Sequence, residues 1–269
     1  MEYATVISLF MCALSLPLLL VAKFDMITSQ QWLLLVLISI IDAIAFLYIT
    51  KAVRHMELSE SSPLFVYGPA ITAGLAFLFL GEILTTKQVI GILGVTLGAY
   101  ILELKQMKNK KAEFLHPFKI MFQSKYIHYL FFGLVLYAVA AVIARYMLNT
   151  NNPNALDPYA LLVITHFLVA MIYLGMLHRF HNGFKGIQHG MQSAGKLIFL
   201  AAVFLFVSRI LLTFALVIPA AEVALILGVR RLSSLFSTFL GGELFHDQNL
   251  GRKVLACAIM VLGALLIVL

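Results

Sequence analysis

Long apolar stretches separated by short polar turns dominate the chain. They run approximately over residues 4–22, 31–50, 58–80, 88–104, 126–148, 158–177, 196–217, 221–241 and 250–269. Each comes close to or meets the roughly 20 mainly apolar residues that a helix needs to cross a bilayer. The pattern predicts an all-α, polytopic membrane protein with nine spans. No piece between the spans is long enough to fold as a soluble catalytic domain. The longest polar piece, residues 105–125, separates an amino-terminal part (1–104) from a carboxy-terminal part (126–269). The first apolar stretch lacks a basic leader and a clear small-residue cleavage site, so it reads as a retained helix rather than a signal peptide.

The two parts repeat. Sliding Gln31–Leu104 forward by about 161 residues sets Tyr48 on Arg209, Thr72 on Ser233 and Gly81-Glu82 on Gly242-Glu243. A four-residue insertion in the second copy changes the shift to about 165, which places Lys87 on Arg252 and Gly98 on Gly263. In membrane proteins such repeats build one substrate pathway between two related halves.

Composition agrees with the pattern: 62% of residues are hydrophobic and 12% charged, with a mean hydropathy of +1.00. That is more apolar surface than a soluble core of this size hides. The net charge of +7 informs through its placement. Thirteen basic residues, from Lys51 and Arg54 through the Lys105–Lys125 run to Arg252 and Lys253, fall on one side of the alternating topology, against Lys23, Lys87 and Arg145 on the other. This bias places the 105–125 connection in the cytoplasm. The basic run reads as attraction to anionic lipid headgroups, not to nucleic acid. Cys12 and Cys257 lie inside apolar spans and read as packing residues, with no disulfide or metal site implied.

Within the first part, Ser62-Pro63-Leu64, Pro69, Leu80-Gly81-Glu82, Gln88, Gly91 and Gly98 stand in the order found at the end of an EamA-type first half. Leu240-Gly241-Gly242-Glu243, Arg252 and Gly263 answer in the second part. The chain therefore resembles the EamA-type transporters of the drug/metabolite transporter superfamily. The resemblance implies ten helices in two inverted five-helix repeats, a central cavity, alternating access, and transport driven by a gradient without an ATP site. It also implies export as the direction.

Three departures stand out. The first part has four spans: 4–22 pairs with 158–177, which leaves 126–148 without a mate. The first family helix is thus missing, either because Met1 is internal to a longer reading frame, the preferred account, or because the chain is a nine-helix variant. Arg230 stands where the repeat sets Pro69, so a charge replaces an expected helix kink. Finally, the charge count puts Leu269 outside, whereas family members are often drawn with a cytoplasmic carboxy terminus.

Charges inside spans cost about 2.5–3.5 kcal/mol at the bilayer centre and mark cavities or partners. Asp42 and Arg209 lie near the middles of repeat-mate helices, at similar depth, so an ion pair between them is expected. It either lines the pathway or neutralises itself and fixes helix packing. Arg230 and Arg231, followed by Ser233, Ser234 and Ser237, suit a carboxylate or phosphate through paired hydrogen bonds. Neighbours on a helix point about 100° apart, so both arginines do not face one ligand squarely. The alternative is that one arginine snorkels while the other pairs with an acid.

Tyr48, Tyr67 and Tyr137 either line a cavity or sit between helices. Glu82 and Glu243 end matching helices and read as structural. His166 is mid-span and is either a proton relay or a packing residue. Pro63 and Gly68-Pro69 predict a kink, and Gly91, Gly94 and Gly98 predict close helix packing.

No enzyme motif, cofactor motif or metal-ligand spacing emerges. The reading is a multi-pass transporter of a bacterial or archaeal plasma membrane, carrying a small polar metabolite such as an amino acid or organic anion. Its candidate substrate-binding residues are Asp42, Tyr48, Tyr67, Arg209, Arg230, Arg231 and Ser234, with no catalytic residue and no cofactor. The partners expected are a small-molecule substrate and the lipid bilayer, with a homodimer left open. The competing class is a non-transporting component of a lipid or metabolite flippase assembly.

Overall fold

The structure is a computed structural model that describes all residues except 26, 57–63, 66, 104–124, 153, 181–182, 220, 231, 234–249 and 269. The described residues are helical with no strands. In chain order the helices are α1 (Glu2–Ser15, extended by a 3-10 segment Leu16–Leu20), α2 (Ser29–His55), α3 (Gly68–Leu80), α4 (Thr86–Glu103), α5 (Lys125–Leu148), α6 (Pro158–Phe180), α7 (Phe184–Val217), α8 (Val223–Arg230) and α9 (Leu250–Val268). Five segments are long and apolar enough to cross a membrane: Glu2–Leu20, Ser29–His55, Lys125–Leu148, Pro158–Phe180 and Ala194–Val217. Gly68–Leu80, Thr86–Ile101 and Val254–Ile267 are shorter apolar helices. The chain is thus an all-helical, multi-pass membrane protein.

The sequence marks many of the helix starts chemically. Thr28 and Gln31 form a reciprocal box at the start of α2: Thr28 N–H donates to Gln31 Oε1 (2.9 Å) and Gln31 N–H to Thr28 Oγ1 (3.3 Å). Thr85 and Gln88 repeat the device at α4, at 2.7 and 3.3 Å. Each box satisfies two of the orphan N–H groups of a helix start. Asp157 caps α6 by accepting from the Ala160 N–H (2.9 Å), with Pro158 in the first turn. Gly81 ends α3 in the left-handed region (φ 67°), the conformation a residue without Cβ adopts freely.

Two boundaries depart from the pattern. Pro69 stands in the first turn of α3 rather than inside a span, where its missing N–H and fixed φ cost little. Leu64 and Phe65 are helical and Tyr67 is a turn ahead of Gly68-Pro69, so the helical path is interrupted just before that pair, and Pro63 lies outside the described residues. Helix α7 begins at Phe184, earlier than the apolar stretch, and bends at Ala194 (φ −147°, ψ 18°).

The helices pack in two compact units, Met1–Leu47 with Ile143–Ala221, and Tyr48–Val142 with Glu222–Leu269. Each draws on both parts of the sequence. In the first, α1 packs on α6 and α7. Val6, Ile7, Ile198 and Ala202 form one buried cluster, and Ala4, Ala43 and Tyr173 another. The opposite face of α7 carries Leu197, Phe204 and Leu211, seven residues apart and 72%, 69% and 66% exposed. A stripe so apolar and so exposed is a lipid-facing one.

In the second unit, α4 and α9 make the most extensive helix contact. A Cβ on Gly91 would stand 2.7 Å from the Gly263 carbonyl, and one on Gly98 2.8 Å from the Ala256 carbonyl. Residue numbers fall on α9 as they rise on α4, so these helices run antiparallel.

Candidate functional site

Helices α2 and α7 present the central charges. On α2 the buried face carries Leu35, Ile38, Ser39, Ala43 and Ala45, while Leu33, Val36 and Ile40 are exposed. Asp42 follows Ser39 by three residues and so falls on the buried face. On α7, Ile198, Ala202, Phe206, Thr213 and Leu216 are buried, and Arg209 falls in step with them, seven residues after Ala202. Helical period therefore turns both charges away from lipid.

There they meet. Arg209 Nη2 lies 3.2 Å from Asp42 Oδ2, with 35% of the arginine side chain and 12% of the aspartate side chain exposed. The expected pair is formed. Asp42 Oδ1, by contrast, is buried and accepts no hydrogen bond among the described residues. Leaving such an acceptor unanswered costs about 1–3 kcal/mol, and more for a charged group.

Polar neighbours on α2 and α6 satisfy themselves on main chain. Ser39 Oγ donates to the Leu35 carbonyl (2.7 Å) and Thr165 Oγ1 to the Leu161 carbonyl (2.6 Å). Tyr173 OH donates to the Ala43 carbonyl (2.7 Å). His166 Nδ1 stands 2.6 Å from the Leu162 carbonyl and is therefore the protonated nitrogen, with the ring edge-on to Phe206.

The remaining candidates fall elsewhere. Tyr48 packs edge-on against Tyr129 and Phe132, at 5.3 and 4.9 Å between ring centroids. Tyr67 packs against Phe131 at 5.7 Å. Arg230 is the last residue of α8 and exposed. Arg231 and Ser234 lie outside the described residues, as do Pro63 and Glu243. The structure thus brings Asp42 and Arg209 together, and Tyr48 and Tyr67 into aromatic contacts. Among the described residues no group of His, Cys, Asp and Glu is arranged to hold a metal ion. A cavity of about 350 Å³ in the first unit, beside the bend in α7, is lined by Glu2, Tyr3, Gly190, Ala194, Leu197 and Ile198, and holds none of these candidates.

Two polar arrangements were not anticipated. Arg145, near the end of α5 and only 6% exposed, donates to the carbonyls of Leu216, Ile218 (2.8 Å) and Pro219 (2.9 Å). It closes the carboxy-terminal end of α7, where orphan carbonyls and the negative dipole end favour a cation. Glu82 Oε2 accepts from the Val223 N–H (3.0 Å) at the start of α8. Beside it, Gln88 Nε2 donates to Glu222 Oε2 (3.4 Å). The Leu80-Gly81-Glu82 motif is thus a helix stop followed by an anionic cap for α8, in the carboxy-terminal part of the chain.

Residues 1–104 match the EamA-like transporter family, and that part of the chain belongs to it; the match is the one expected of an EamA-type membrane transporter of the drug/metabolite transporter superfamily. An uncharacterized protein of Methanocaldococcus jannaschii is 38% identical over 92 residues, which cover 34% of this chain and 67% of that protein. One solved crystal structure superimposes with a TM-score of 0.67 at 14% identity, over 98% of this chain and 85% of that one. That likeness is one of fold.

Proposed function

We propose that the protein is a secondary active transporter that moves a small polar metabolite, an amino acid or an organic anion, by alternating access across a bacterial or archaeal plasma membrane. Asp42 and Arg209 form the core of its substrate site. The observation that carries this reading is the ion pair itself: two charges placed midway along membrane-spanning helices, one of them with an uncommitted oxygen. A pair serving packing alone is expected to have both carboxylate oxygens answered, and Asp42 Oδ1 has no donor among the described residues. A pair that exchanges partners with a polar solute requires such an open acceptor. Gradient-driven export follows from the family resemblance, and the sequence carries no nucleotide-binding motif that would supply another energy source.

A thermal-shift screen of the detergent-purified chain tests the reading, since a ligand that binds only the folded state raises apparent stability by RT ln(1 + [L]/Kd). Amino acids, organic acids, phosphorylated metabolites and amines are compared. One class is expected to raise the midpoint, and Asp42→Asn to abolish the rise. A flat response to every class from a well-folded sample contradicts the proposal.

A further inference from the structure

At one end of the first unit, α1 and α7 meet at the cavity of about 350 Å³ lined by Glu2, Tyr3, Gly190, Ala194, Leu197 and Ile198. Two membrane-crossing segments begin at its wall: Glu2 is the first residue of Glu2–Leu20, and Ala194 the first of Ala194–Val217. The cavity therefore lies at headgroup depth, at the end of these helices that the charge bias assigns to the cytoplasm. Local sequence shapes it. Helix α7 leaves helical geometry at Ala194, and the glycines ahead of that bend let α1 come close. A Cβ on Gly186 would stand 3.1 Å from Glu2 Oε1, and one on Gly190 3.2 Å from Val6 Cγ2. The Glu2 side chain thus lies over the glycine face of α7, and no hydrogen bond or ion pair among the described residues engages its carboxylate. Tyr3, stacked on Phe46 with ring centroids 6.2 Å apart, supplies the second polar side chain of the lining.

We infer that this cavity is a lipid site that takes a phospholipid with a primary-ammonium headgroup, the ammonium donating to the Glu2 carboxylate. Depth and continuity select a lipid. The cavity opens where Leu197 and Tyr3 stand, 72% and 42% exposed, and Leu197 begins the apolar stripe that continues through Phe204 and Leu211. A lipid held at Glu2 lays its acyl chains along that stripe, whereas a water-soluble amine gains nothing from it. Charge selects the headgroup. A carboxylate accepts hydrogen bonds and repels anions, which ranks an anionic phospholipid low. A quaternary ammonium has no N–H to donate, which ranks a choline headgroup below an ethanolamine one. Lys185, His189 and Lys196 are exposed on the same stretch of α7 but stand outside the lining. They suit the phosphate that all these lipids carry, so the discrimination falls to Glu2.

The test uses the whole purified chain, stripped of lipid in detergent. It is then given phosphatidylethanolamine, phosphatidylcholine or phosphatidylglycerol with matched acyl chains, or phosphoethanolamine as the soluble headgroup. Native mass spectrometry counts lipid adducts over a concentration series. Melting midpoints are recorded in parallel, because a ligand of the folded state alone raises them. The inference expects phosphatidylethanolamine to bind about fivefold tighter, or more, than either other lipid, with a matching rise in midpoint and none from phosphoethanolamine. Glu2→Gln, which keeps the size of the side chain, is expected to remove the preference. Equal retention of the three lipids overturns the inference, and so does a preference that survives in Glu2→Gln. A rise with phosphoethanolamine equal to that with the lipid makes the site one for a soluble amine and overturns it too. The comparison of lipids on the unaltered chain stands whether or not the variant folds, and it does not depend on which solute the protein carries.

Discussion

At the scale of single residues, Asp42, Arg209 and Arg145 lie on the buried faces of helices and each has a defined partner. Breaking a buried pair by removing one member leaves an unmatched charge and costs about 3–5 kcal/mol. Arg209 is partly exposed, so Arg209→Ala should cost less than that range and still stop transport. Residual flux near the unaltered rate would make the pair a packing device. Arg145 is the contrasting case. Its guanidinium serves three carbonyls at the end of α7, and hydrogen bonds from a charged donor are worth about 1.5–3 kcal/mol each in net terms. Bonds that share one guanidinium do not add in full, so Arg145→Ala should lower stability by about 2–4 kcal/mol, read as a fall in melting midpoint in detergent. Arg145→Lys should recover part of it, because a point charge cannot span three acceptors. Asp42 and Arg209 were legible in the sequence because a charge in the middle of an apolar stretch is conspicuous. The role of Arg145 was not, because its acceptors are main-chain carbonyls, which every residue possesses and no sequence pattern marks.

At the scale of helices, close approach and capping set the architecture. Gly263 is backed by main chain: an added Cβ would stand 2.7 Å from the Val95 nitrogen and 2.8 Å from the Gly91 carbonyl, both atoms that move only if the helices part. Gly263→Ala should accordingly destabilise by about 1–3 kcal/mol or more. Gly74→Ala, with nothing within 4 Å of the new methyl, should be neutral or gain up to about 1 kcal/mol from helix propensity. Equal losses in melting midpoint at both positions would remove the packing argument. The small-residue spacing of Gly91, Gly94 and Gly98 announced this interface correctly, since only tight packing gives three glycines at such intervals a purpose. Other element-level features escaped the sequence. Ala194 bends α7 with no proline nearby to signal it. Glu82 caps a helix 141 residues further along the chain, a relation that depends on the fold rather than on local spacing.

At the scale of the whole molecule, the distribution of lysine and arginine predicts an orientation in the membrane. Lys23 precedes α2 and Lys51 lies in its last two turns, and both are exposed. In a chain first cleared of Cys12 and Cys257, Lys51→Cys should react with an impermeant thiol reagent only from the cytoplasmic side, and Lys23→Cys only from outside. The reverse pattern would invert the orientation drawn from the charge bias. The fold class was readable at this scale because hydrophobic length alone dictates it. The repeat was readable because its mates keep matching residues, and the antiparallel contact of α4 with α9 fits it. The uncommitted oxygen of Asp42 was not readable, since only three-dimensional packing reveals it. The most direct test of the account is solute flux through the purified chain alone. Liposomes containing it are loaded with amino acids and organic acids, and efflux is followed against protein-free liposomes and against the Asp42→Asn protein. The account predicts selective efflux of a polar metabolite that depends on the protein and falls at least tenfold in Asp42→Asn. Efflux no faster than from protein-free liposomes, in a preparation shown to be folded, would contradict it.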